Sequence, residues 1–183
     1  MKRFSQLLTN PWCLVAIALM IIACIGATVY AHNLYEAHED MHITKSASAS
    51  IIGQFNYAAY QACIACNAAV YSHDRVLPYR YTDPTWTIAC ETAIAATDEY
   101  NAGVLDGSGG IDFMNCGETY ESKGDNYAMP PPPYNTTIAH DAYVDAEMSY
   151  YLGGSSSEDG YIHMTEAHRL WDLATAAFDT LYP

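Results

Sequence analysis

Two histidines, His38 and His42, stand four residues apart with Glu36, Glu39 and Asp40 around them. On a helix that spacing puts both imidazoles on one face, where they can chelate Zn or Cu. Glu39-x-x-His42 is also half of a di-iron carboxylate motif, but the sequence has no second Glu-x-x-His to complete it. His-x-x-x-His pairs are common on surface helices, so a solvated face is the ordinary reading. A second group gathers His163, Met164, Glu166 and His168. Histidine with methionine suits copper outside the cytoplasm. His163, however, falls on an apolar stripe, where a satisfied core histidine is the common case. The two groups belong at opposite ends of a helical domain and are not expected to share a metal. No cofactor is expected; if a metal is held, these donors select Cu or Zn.

Of six cysteines, Cys13 and Cys24 fall in an apolar run and four follow it: Cys63, Cys66, Cys90 and Cys116. Four cysteines in a small extracytoplasmic domain predict two disulfides. Cys63-x-x-Cys66 lacks the strand-turn-helix setting of a redox motif, and Asn67 stands where a c-type haem site needs histidine. On a helix the two cysteines diverge by about 60°, so each is expected to reach Cys90 or Cys116. Asn135-Thr136-Thr137 is a glycosylation sequon, with Asn135 as acceptor in a host that uses such sites. Asp106 to Asp112 does not place its glycine and final carboxylate as a calcium loop requires. No nucleophile elbow, phosphate loop or Ser-His-Asp order is present, so no enzymatic activity is expected.

Residues 13–30 carry no charge and are apolar or small. At about 1.5 Å each they span about 27 Å, close to the hydrocarbon core of a bilayer. Trp12 and Tyr30 bracket the run, and Lys2 and Arg3 precede it. That arrangement predicts a single-pass anchor at 12–31, contacting membrane lipid, with residues 1–11 cytoplasmic and everything beyond extracytoplasmic. Val29-Tyr30-Ala31 and Ile21-Ile22-Ala23-Cys24 weakly resemble cleavage and lipidation sites, and an uncleaved anchor is favoured over both. The formal charge is −14, and no acidic residue lies before the anchor. So acidic a surface repels phosphate backbones, which excludes nucleic acid as a partner.

Four helices are expected after the anchor, making a mainly α, disulfide-stapled, four-helix-bundle-like domain at 51–183. The first continues the anchor through a stalk at 32–50 and shows an apolar stripe from Ile52 and Phe55 to Cys66 and Ala69. The second starts at Asp83, a good N-cap, with Pro84 at the first helical position, and ends at Gly103. A long irregular loop follows, from about 102 to 135, rich in Gly, Asp, Asn and Pro, with Pro130 to Pro133 as a stiff spacer. The third helix runs from Thr136 or Thr137 to Gly153-Gly154, and the fourth starts near Tyr161.

In that arrangement a first helix of about 60 Å outgrows three partners of about 25–30 Å. A lone stalk is marginal in water and needs a second copy or another subunit. The sixteen tyrosines fit packed interfaces. The sequence therefore predicts a non-catalytic structural or accessory subunit of a membrane or surface assembly, such as a complex or filament, packing as a homo-oligomer or with other membrane-complex subunits. The alternatives are a Cu/Zn-binding module and a ligand-sensing helical domain that acts through a partner.

Overall fold

A computed structural model describes residues 11–79, 83–128 and 135–182. Lys2, Arg3, Tyr81, Tyr134 and the Pro130–Pro133 run lie outside them. Three long helices account for nearly all of the described residues: α1 (Pro11–Val76), α2 (Pro84–Ala128) and α3 (Thr136–Thr180), with a 3₁₀ turn at Leu77–Tyr79 after α1. No strand occurs among the described residues. The chain runs up, down and up, so α1 and α3 are parallel and α2 is antiparallel to both. The second helix starts at its predicted cap, and the third starts at Thr136 behind a cap that was not anticipated. Asp83 accepts the Thr85 N–H (2.8 Å) ahead of Pro84. Asn135 accepts the Thr137 and Ile138 N–H groups, both at 3.1 Å.

Three helices replace the expected four, because two predicted breaks are contacts instead. Gly153-Gly154 does not end a helix, and α3 passes straight through it. A Cβ on Gly153 would lie 2.9 Å from the Gly110 carbonyl oxygen, and one on Gly154 would lie 2.7 Å from Ser48 Oγ. The expected loop from 102 is helix as far as Ala128. Six glycines between Gly103 and Gly124 weaken this helix by about 1 kcal/mol each relative to alanine. Packing offsets that cost.

The packing is a heptad ladder. On α3, Tyr143, Tyr150, Ser157, Met164, Trp171 and Phe178 recur every seven residues, all buried. On α2, Ala89, Ala96, Gly103, Gly110, Gly117 and Gly124 recur every seven, also buried. Antiparallel helices in heptad register match such ladders rung by rung. Gly124 thus lies under the Tyr143 ring, Gly117 under the Tyr150 ring, Gly110 against Ser157 and Gly103 against Met164. On α1, Met41, Ser48, Phe55, Ala62, Ala69 and Val76 form a third buried ladder with the same step. Both other helices pack along α3, whereas the backbones of α1 and α2 stay apart over most of their length.

This register also corrects the stalk. α2 and α3 have 45 residues each, about 67 Å, so they accompany α1 almost down to its apolar run. Ala37 and Met41 are buried in one cluster with Ala139, Tyr143, Ala146 and Tyr150, and the Ser48 hydroxyl donates to the Tyr150 carbonyl (2.7 Å). The lower part of the helix is supported within its own chain. Below it, the N-terminal part of α1 is long and apolar enough to cross a membrane, and none of its most apolar stretch is buried in the protein.

Candidate functional site

Just above the apolar run, the three helices bring together polar side chains that are far apart in sequence. Glu121 on α2 accepts a hydrogen bond from Lys45 Nζ on α1 (2.7 Å) and another from the Tyr150 hydroxyl on α3. His42 Nδ1 lies 4.0 Å from its other oxygen. The Lys45 ammonium sits 5.3 Å from the centre of the Tyr150 ring, a cation–π contact. One turn away, the Tyr143 hydroxyl donates to Asp125 (2.9 Å), and His38 packs edge-on against the Tyr143 ring.

Burial pushes the Glu121 pKa up. The hydrogen bonds from Lys45 and Tyr150, helped by the Lys45 and His42 charges, outweigh it and hold the carboxyl below its ordinary range. Both tyrosines move the other way. Burial, then the bond to Glu121 or Asp125, puts their hydroxyls well above the usual phenol range, so they act as donors and not as bases. The cluster is a three-helix clamp. Glu121 meets Lys45 and Tyr150, and Asp125 meets Tyr143.

The structure places the two histidine groups apart, and His163 is partly exposed rather than a core residue. His38 Nε2 and His42 Nε2 converge to 3.1 Å. At that distance one imidazole donates a hydrogen bond to the other. Among the described residues, however, no group of three or more His, Cys, Asp or Glu side chains is placed to hold a metal ion. His163 belongs elsewhere. It bonds Glu99 (2.7 Å) and lies 3.6 Å from Asp106, both on α2. His168 pairs with Asp172 (3.4 Å) on its own helix. His163 is thus a paired side chain at the edge of the α2–α3 seam.

The bond to Glu99 raises the His163 pKa against partial desolvation, with the Asp106 and Asp159 charges assisting. A raised folded-state pKa means that the pairing stabilises the fold fully below the unfolded value near 6.5. It is lost as pH rises through the folded value. The thermal midpoint should therefore drop modestly on going above about pH 6.5, and His163→Gln should flatten that slope; melts across the range check it.

None of the four candidate disulfide cysteines is bridged. Cys63, Cys66, Cys90 and Cys116 are all free thiols. A bridge needs facing Cβ atoms about 4 Å apart. Cys63 and Cys116 face solvent instead, and Cys66 and Cys90 sit on either side of a gap between α1 and α2. Burial raises the pKa of both Cys66 and Cys90, with the Cys63 charge adding to the former. Protonated thiols are poor nucleophiles and poor metal ligands. Asn135 is exposed and has a structural task, since its side-chain oxygen caps α3.

Sequence reasoning passed over Glu121, Lys45, Tyr150 and Tyr143. The signal was the seven-residue step shared by the two tyrosines and by Gly117 and Gly124. The chain matches no protein-family model, no curated protein and no solved structure.

Proposed function

We propose that the chain is a non-catalytic structural or accessory subunit of a membrane or surface assembly, held by one transmembrane helix with its helical domain outside the cytoplasm. Lys2 and Arg3 ahead of the apolar run support that orientation, because basic residues stay on the cytoplasmic side.

The observation that carries the reading is the outer face of α1. Tyr57, Tyr60, Ile64 and Tyr71 stand 67%, 63%, 47% and 68% exposed along it. Gly53 heads this stripe with nothing within 4 Å of where its Cβ would be. The buried glycines of α2 and α3 make room for neighbours inside the bundle. Gly53 costs about 1 kcal/mol of helix stability with no such return. A smooth spot flanked by tyrosines suits a helix of another subunit, and tyrosine gives large contact area at low entropy cost.

The test is the mass of the full chain in lipid nanodiscs or mild detergent, by light scattering. The expected result is an oligomer, or a complex with copurifying membrane proteins, that Gly53→Leu with Tyr57→Ser and Ile64→Ser dissociates while the melt stays cooperative. A monomer that copurifies with nothing would sink the proposal.

The converged His38 and His42 nitrogens favour one second reading, a Cu or Zn site on the membrane-proximal face of α1. Metal analysis of the purified chain against His38→Ala/His42→Ala decides it. Equal metal content in both rejects that reading.

A further inference from the structure

Near the end of the bundle away from the apolar run, α1 and α2 leave a trough of about 340 Å³ between them. At two other levels this gap is bridged. Phe55 reaches from α1 onto Gly107 of α2 at mid-bundle, and the Lys45–Glu121 pair closes it lower down. At the trough the facing residues are Ala69 and Ala93, too short to meet, and the floor is the rings of Trp171 and Phe178 from α3.

At its distal end His73, Trp86 and Phe178, one ring from each helix, lie 4.9–5.4 Å apart. Tyr100 packs on Trp171 (5.5 Å). Along α1 the trough runs from Cys66 to His73, and along α2 from Cys90 to Thr97, about 10 Å in each case. A docked helix needs several turns of groove, more than this length offers. The lining contains no Asp, Glu, Lys or Arg to meet a charge, and a chain of net charge −14 repels anions.

We propose that this trough is a binding site for a compact, neutral ring compound from the aqueous phase. It would lie between Cys66 and Cys90 against the apolar rim of Val70 and Ile94, above the largely covered Trp171 and Phe178. Size and lining match small-ligand pockets, which are apolar hollows of about 300–1,000 Å³. About fifty Å of α1 separates the trough from the apolar run, which places it out of reach of bilayer lipid.

The cysteines supply the readout, since Cys66 and Cys90 line the trough whereas Cys63 and Cys116 face solvent on the same chain. The full chain in lipid nanodiscs is alkylated with N-ethylmaleimide, with and without indole as the probe, and each peptide is followed by mass spectrometry. At indole about four times its Kd, expected near 1 mM or below, Cys66 and Cys90 should react about fivefold more slowly while Cys63 and Cys116 are unchanged. Ala93→Phe, which fills the trough, should abolish the indole effect. If that variant melts early, Ile94→Glu takes its place, since Ile94 is 62% exposed at the rim and a carboxylate there should weaken protection severalfold. Equal slowing at all four cysteines, no slowing up to the solubility of indole, or protection undiminished in the folded variant overturns the proposal.

Discussion

Gly107→Ala should lower the thermal midpoint of this bundle, although the same exchange on a solvent-facing helix raises it. The Phe55 ring, 7% exposed, lies against both Gly107 and Gly160. A Cβ on Gly107 would overlap that ring, and a Cβ-length shift toward α3 is blocked by the Gly160 backbone. Overpacking of this severity costs about 3 kcal/mol, and the helix-propensity gain returns about 1 kcal/mol. The net loss is about 2 kcal/mol, or roughly 4–8 °C for a domain of this size. Gly53→Ala is the control. In the monomeric chain, with open space around its Cβ, it should gain about 0.5–1 kcal/mol. Circular dichroism melts of both variants decide the matter. If Gly107→Ala melts at or above the parent, Phe55 is not wedged as described.

Tyr150→Ala should cost more, about 3–5 kcal/mol. Tyr150 has no exposed surface, its ring rests on Gly117, and its hydroxyl is one of two donors to Glu121. Alanine would leave a cavity and a half-partnered carboxylate that is only partly exposed. Tyr150→Phe separates the two effects: it keeps the ring and removes only the hydroxyl, at about 1–3 kcal/mol. The cluster also sets an acid limit. Because the folded-state pKa of Glu121 lies below its ordinary value, its pairing stabilises the protein fully above the unfolded value near 4.5 and is lost as pH falls through the lower, folded value. Glu121→Gln should be less stable than the parent at neutral pH, and the difference should shrink below about pH 4. Denaturant melts at both pH values test it, and a pH-independent difference would mean that Lys45 and Tyr150 do not depend on the charge of Glu121.

The candidate site was half legible. His38 and His42 follow from helical spacing alone, because a four-residue step fixes two side chains on one face whatever surrounds them. Their neighbours Glu121 and Lys45 are seventy-six residues apart and met only when α1 and α2 found their register. The disulfides failed for the same reason. Composition and address argue for bridges, but whether two cysteines can bond depends on which way each helix face turns.

What the chain determined locally was its helical class, the continuity of the first helix with the apolar run, and the caps at Asp83 and Asn135, since each depends on neighbours a few residues away. The number of helices and their length were decided by tertiary packing. Read alone, the glycines of α2 and the Gly153-Gly154 pair are breaks, because glycine loses the most backbone entropy in a helix. Gly103, Gly110, Gly117 and Gly124, set every seven residues opposite methionine, serine and tyrosine, become instead the places where two helices approach closely, and the tight packing there outweighs the helix propensity that glycine gives up.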